Sequence, residues 1–317
     1  MLVNLATLTP TMRGALRRLV AEITEHDGIS PINESASLGI DGLRDADFFF
    51  LGRRSDPHGF VVCDERESTL QVGVHPQHRR QGDATELLAE ALRSYPTFSA
   101  WAFGTLPGAP ELARRVGLVP TRELLRMERG LSTQAGRSAP EPGSRSVKDD
   151  TALLEPVPGA ERPDRVERQE AYEIGPFMSA DREQVVAVNA AAFAHHPEQG
   201  RLTVEEFDQL AAQDWFDPGG LFVAHAADGE VAGFHWTKRH GGGLGEVYVI
   251  AVAPGHEGKG LGRALLDRGL DHLAAVGDTR VQLYVEASEQ RVVRLYRNAG
   301  FDIAQTDTSY QAPREVP

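Results

Sequence analysis

Two short stretches hold the residues best suited to grip an anion. One, His256-Glu257-Gly258-Lys259-Gly260-Leu261-Gly262-Arg263, places glycines and a lysine where a helix begins, after a strand-like run closing in Val252-Ala253-Pro254. The other, Arg79-Arg80-Gln81-Gly82-Asp83-Ala84-Thr85, follows Val74-His75-Pro76 and also leads into an amphipathic run. In such a turn consecutive backbone N–H groups point inward and the helix N-terminus adds roughly half a positive charge. Glycine lets the backbone approach a ligand without a Cβ in the way. The chemistry on offer is phosphate binding. Neither turn is the phosphate loop G-x-x-x-x-G-K-[ST], and the evenly spaced Gly258, Gly260 and Gly262 behind a meander do not make a dinucleotide-binding fingerprint. A glycine turn alone is equally compatible with tight helix–sheet packing, so the surrounding elements decide.

Those elements are legible in the second half of the chain. "AYEIGPF" (171–177) reads as a strand and "DREQVVAVNAAAF" (181–193) has helical apolar spacing. Thr203 and Glu206 form a capping box at the start of another helix. Residues 221–238 are two strand-like runs around Asp228-Gly229, a hairpin signal. "GEVYVIAV" (245–252) is a β-rich run, and a helix follows from about Leu261. "RVQLYVE" (280–286) is a strand, 289–300 a helix stopped by Gly300, and "FDIAQTDTSY" a closing strand. The order is β-α-α-β-β-β-α-β-α-β. The first half repeats it more loosely, with "FFFLG", "GFVVCD" and "LQVGV" as strands, the helix after Gly82, "FSAWAF", a helix to Gly117, and "LVPTRELLRM". The two turns are more than half the chain apart, too far for a solenoid and suited to a duplicated domain.

The 317 residues exceed what one core usually serves, so two domains of ~150 residues are the default. A net charge of −13 argues against nonspecific nucleic-acid binding, which needs a basic face. Cys63 is the single cysteine, so no intrachain disulfide and no Cys-based metal cluster can form. No apolar run approaches a membrane span and no secretory leader is evident, which leads to an expectation of a soluble, cytoplasmic protein. Residues 131–170 carry five prolines (Pro140, Pro142, Pro156, Pro158, Pro163), many charges and no aromatic residue. They read as a flexible linker between domains at 1–130 and 171–317.

The element order, with [QR]-x-x-G-x-[GA] at the turn, resembles the GNAT superfamily of N-acetyltransferases. "VNAAAFAHHPEQG", "WFDPGGLFVAHA", "GFHWTK", "LGEVYVIAVAP" and "LYVEAS" narrow the likeness to the mycothiol synthase family of tandem GNAT enzymes. It is specific over the second domain and looser over the first, where "DGISPINE" and "VHPQHRRQG" carry it. The resemblance implies an α/β (α+β) mixed-sheet fold in two tandem GNAT domains, and acetyl-CoA as acetyl donor. It implies a small-molecule amine, cysteinyl-glucosaminyl-inositol, as acceptor, with no metal, no nucleic acid, no membrane and a monomeric chain. Ile250, Ala251 and Val252 would offer backbone groups to the pantetheine. Glu257, Gly258, Lys259, Gly260, Leu261, Gly262 and Arg263 would hold the pyrophosphate, with Glu289, Gln290, Arg291, Val292, Val293 and Arg294 flanking it. Glu257 departs from the family's Gln or Arg, and a carboxylate beside pyrophosphate is unfavourable. In the first domain Val72, Gly73, Val74, Arg80, Gln81, Gly82, Asp83, Ala84 and Thr85 match the same parts.

Acetyl transfer to an amine requires an ammonium proton to be removed and a departing thiolate to be neutralised. Glu246, a carboxylate in a β-rich run, suits a general base; the plain alternative is an exposed strand-end carboxylate. Tyr296 matches the family's proton donor, and also fits a core aromatic beside Val292 and Val293. Glu34, Glu198, Lys238, Glu246 and Tyr284 fall in motifs that contact the sugar–inositol acceptor in the resembling family. Lys238 could equally be a solvated strand end and Tyr284 a sheet residue. The adjacent His195 and His196 are no chelate by themselves. Aligning the two halves sets Ser68 opposite Glu246 and Ala113 opposite Tyr296, so the first domain is expected to hold acetyl-CoA without turning it over. Three functions stay open: mycothiol synthesis, acetylation of another amine, and a non-enzymatic acetyl-CoA sensor.

Overall fold

The computed structural model describes residues 3–131, 172–194, 199–213 and 215–313. The expected linker, Leu131 apart, lies outside the described residues. By contact the chain separates into two compact units, Met1–Met127 with Tyr284–Pro317, and Glu128–Leu283.

The first unit opens with β1 (Val3–Leu5) and α1 (Pro10–Asp27). The Thr9 hydroxyl accepts from the Met12 amide, Pro10 fits the first turn, and Gly28 closes the helix. Met12, Leu16, Leu19 and Ile23 bury one stripe of α1 with Phe48, Phe50 and Phe60. Next come α2 (Glu34–Asp41), capped by Asn33, then β2 (Asp47–Arg53), β3 (Asp56–Asp64) and β4 (Thr69–Val74) as an antiparallel meander. α3 (Asp83–Ser94), β5 (Ser99–Ala102), α4 (Ala109–Arg115) and β6 (Val119–Gly130) follow.

The second unit runs through β7 (Tyr172–Pro176), α5 (Arg182–Ala192), α6 (Val204–Ala211), β8 (Leu221–Ala226), β9 (Val231–Arg239), β10 (Leu244–Val252), α7 (Leu261–Ala275) and β11 (Arg280–Glu286). Both partners of the Thr203–Glu206 capping box are in place at α6. The strand order is β11-β10-β9-β8-β7, all neighbours antiparallel except β10 and β11. One face of β9 buries Phe234 and Trp236 against Phe207 of α6 and Val185 and Val188 of α5. The fully buried His235 meets α7, where its Nδ1–H donates to the Leu265 carbonyl at 2.8 Å. Gly269 makes room for that ring, since a Cβ there would lie 2.1 Å from His235 Cε1.

The chain then returns to the first unit with α8 (Gln290–Asn298), followed by Gly300, and β12 (Asp302–Gln311). In that unit the strand order is β1-β2-β3-β4-β5-β12-β6. β12 lies antiparallel to β5, with Ser309 opposite Trp101. This pairing assigns residues 284–317 to the first unit by contact, whereas the repeat in the sequence counts them with the second half.

Candidate active site

Both glycine turns come out as strand, turn and helix N-terminus. At α7 the N-cap is Gly260, with φ 86°, and at α3 it is Gly82, with φ 99°. An L side chain is strained at such angles. Neither helix start has a side-chain cap, unlike α1, α2 and α6. The first amides of a helix have no intrahelical acceptor, so those of α3 and α7 are available to an external one. A Cβ built at Gly82, Gly255 or Gly260 would meet nothing within 4 Å, so each turn borders open space. Such a helix start suits a phosphate group.

The side chains divide the turns further. Lys259 and Glu257 are both exposed, and Arg263 pairs with Asp267 at 2.8 Å along α7. His256 hydrogen-bonds the Tyr172 hydroxyl at 2.9 Å, tying the turn to β7. In the first turn Arg79 is committed to Asp27 through two bonds of 2.8 and 2.7 Å, and its Nε donates to the Val74 carbonyl. Burial pushes the Asp27 carboxyl up, but the Arg79 bonds and charge outweigh it, and the net shift is downward. Arg80 (φ 65°) and Gln81 are exposed, and Asp83 lies 3.2 Å from His58. Ala84 and Thr85 are half-buried at the start of α3, and Val72, Gly73 and Val74 end β4.

In β10 the edge geometry changes along the strand. Its parallel pairing with β11 runs from Leu244 opposite Arg280 to Val247 opposite Leu283. A bulge against β9 falls between Val247 and Val249. Bulges re-aim side chains next to sites. Beyond it lie Ile250, Ala251 and Val252, whose pairing is to β9. Glu246 sits before the bulge, directly between Lys238 on β9 and Gln282 on β11. Residues opposite one another on neighbouring strands share a face, so the three form one row across the sheet. Glu246 is 8% exposed, so the plain strand-end reading does not hold. Its Oε2 accepts from His240 Nε2 at 2.7 Å and from Gln282 Nε2 at 2.9 Å. Lys238 Nζ lies 4.7 Å from the Trp215 ring centre and 5.3 Å from that of Tyr248, so two π faces hold the cation. The sequence reading had singled out none of His240, Gln282, Trp215 and Tyr248. Gln282 carried a usable signal, two residues before Tyr284 on an alternating strand.

The remaining expected residues fall elsewhere. Tyr284, exposed, and Tyr296 belong to the first unit. Tyr296 is 5% exposed on α8, its ring edge-on to Phe301 at 5.8 Å, and burial pushes its phenol well above the ordinary range. Glu289, Gln290, Arg291 and Arg294 are exposed on or beside the first turns of α8, Val292 is half-buried, and Val293 is a core residue. Glu34 is exposed on the first turn of α2. Glu198, His195 and His196 lie outside the described residues. Ser68 stands in a turn at φ 52°, just before β4, and Ala113 is buried in α4. Among the described residues no helix is long and apolar enough to cross a membrane.

Residues 188–301 match the Acetyltransferase (GNAT) family. The chain is 42% identical over 302 residues to the mycothiol acetyltransferase of Propionibacterium freudenreichii subsp. shermanii, covering 94% of this chain and 88% of that one. It is 38% identical to the mycothiol acetyltransferase of Nocardiopsis dassonvillei, covering 91% and 89%. Among solved structures, a tandem GNAT protein from the clavulanic acid biosynthesis pathway superposes at a TM-score of 0.63 and 15% identity over the whole of both chains. An N-acetyltransferase from Sphaerobacter thermophilus superposes at 0.68 and 20% identity, covering 98% and 94%. The fold is thus the mixed α/β fold of tandem GNAT proteins, and by its close, near full-length relatives the chain belongs to the mycothiol acetyltransferase family of acetyl-CoA-dependent N-acetyltransferases.

Proposed function

We propose that the chain acetylates the cysteinyl amine of cysteinyl-glucosaminyl-inositol, with Glu246 as general base and Tyr296 as proton donor. The observation that carries this reading is the buried Glu246 carboxylate, held by two donors on Oε2 in a row with Lys238 and Gln282. Both bonds fall on one oxygen, which leaves Oε1 to take a proton from the acceptor's ammonium. The Tyr296 phenol is the proposed group to give one to a departing thiolate. Acetyl-CoA, when bound, supplies the acetyl thioester. Gly258, Lys259, Gly260 and the α7 amides would hold its pyrophosphate, and Ile250, Ala251 and Val252 would line its pantetheine arm.

Lys238, Tyr284, Glu34 and Glu198 are proposed contacts of the polyhydroxylated acceptor. Many hydroxyls call for charged and aromatic partners that leave no polar group unpaired. By the repeat, 1–130 is a non-catalytic GNAT domain, 131–170 a linker and 171–317 the catalytic domain, in a monomeric cytoplasmic protein that needs no metal. Ser68 supports the non-catalytic assignment, since the base position falls in a turn instead of a strand. The test is acetylation by purified protein across a panel of amines that includes cysteinyl-glucosaminyl-inositol. Turnover of that amine at least a hundredfold above the others is expected; equal rates on simple amines would refute the acceptor.

A further inference from the structure

His240 has a place built for it. It opens the loop between β9 and β10, and its amide donates to the Leu244 carbonyl at 2.9 Å. Arg239, just before it, is locked to Asp278 at 2.9 Å, and Asp278 is fully buried. On the far side of the loop, the Gly243 carbonyl accepts from the Thr279 and Arg280 amides. The imidazole is thereby delivered to Glu246, with Nε2 2.7 Å from Oε2, while the ring stays about one-third open to solvent. A carboxylate oxygen only accepts when ionised, so His240 is the donor in this bond.

We infer that His240 is the positioning residue of the general base: its Nε2–H bond pins Oε2 and thereby aims Oε1 at the incoming amine. This inference rests on the reading of Glu246 as the base. A buried carboxylate with one donor removed could turn about its last side-chain torsion, which is broad for Glu. Gln282 alone would then hold it. The charged groups around this pair are Lys238 on β9, cross-strand to Glu246, and the Arg239–Asp278 pair at the end of the same strand. Lys238 and the Arg239–Asp278 pair are left intact by a change at residue 240.

The experiment compares His240→Leu, His240→Gln and Glu246→Gln in the full chain, by steady-state kinetics at neutral pH. His240→Leu should lower kcat at least tenfold. KM for acetyl-CoA should stay within twofold. His240→Gln, which offers an amide donor in place of the imidazole N–H, should recover most of kcat. If His240→Leu keeps wild-type kcat while Glu246→Gln is inactive, the positioning role is wrong and the base stands. If Glu246→Gln is itself fully active, the base reading fails and this inference with it. Should His240→Leu not fold, His240→Gln decides: a loss of tenfold or more there overturns the donor role.

Discussion

Acid should loosen the second unit through one side chain. His235 is fully buried between β9 and α7, its Nδ1–H spent on the Leu265 carbonyl and its Nε2 without a partner. Protonation would create a buried cation with an unsatisfied N–H, and burial accordingly pushes the imidazole down to about 4 from its ordinary 6.5. The folded ring thus stays neutral while the unfolded one takes a proton, so the unfolded state binds more protons between those values. Stability from this group is complete above pH 6.5 and declines as pH falls toward 4. The full displacement corresponds to roughly 3 kcal/mol, of which about 2 kcal/mol is lost between pH 7 and pH 5. Against a typical total of 5–15 kcal/mol that is a large fraction. The assay is urea unfolding followed by tryptophan fluorescence, since Trp215 and Trp236 both report on this unit. His235→Gln retains a donor for Leu265 and does not titrate. Its unfolding free energy should lose about 2 kcal/mol less than the wild type over the same pH interval. Parallel pH profiles for the two proteins would refute the argument.

Glu246→Gln should lower kcat by ~10²–10⁴ with little change in acetyl-CoA affinity, read by kinetics beside calorimetry. Tyr296→Phe should lower kcat most where thiolate departure limits the rate, a comparison made with acetyl donors of different leaving-group basicity. Gly260→Asp puts a side chain and a charge into open space at φ 86°, so acetyl-CoA should bind at least tenfold more weakly by calorimetry, about 1.4 kcal/mol. Gly82→Asp should leave kcat near wild type. Gly269→Ala should cost about 1–3 kcal/mol of stability by driving a Cβ into His235, and less in a His235→Ala background.

The second unit was readable because each of its elements carries its own punctuation. Thr203 and Glu206 cap α6, Asp228-Gly229 turns the β8–β9 hairpin, and Gly260 opens α7, so pattern and tertiary role agree. In the first unit α1 and α2 carry comparable signals. Thr9-Pro10 and Gly28 bracket the first helix and Asn33 caps the second. The buried positions of α1, Met12, Ala15, Leu16, Leu19 and Ile23, also keep helical spacing, with Arg17, Arg18 and Glu22 falling between them. The position of β12 was out of reach. Nothing local in "FDIAQTDTSY" distinguishes a strand that closes its own repeat from one that pairs with β5, because side-chain alternation specifies a face and not a neighbour.

The candidate site splits the same way. A carboxylate in a β-rich run and the family resemblance made Glu246 and Lys238 candidates, but the bond from His240 depends on how the loop at residues 240–243 turns the chain back, and no periodic pattern encodes that. β10 runs Leu244–Val252 and places Glu246 inside the sheet, whereas β4 runs Thr69–Val74 and leaves Ser68 outside it at φ 52°. A glutamate at residue 68 would therefore gain a carboxylate without the strand that fixes its direction, and without donors equivalent to His240 and Gln282. Ser68→Glu should consequently leave the Glu246→Gln background inactive. Recovery of turnover in that double variant would mean that a carboxylate near the turn suffices, and that the bonded row in the second unit is not what makes the base.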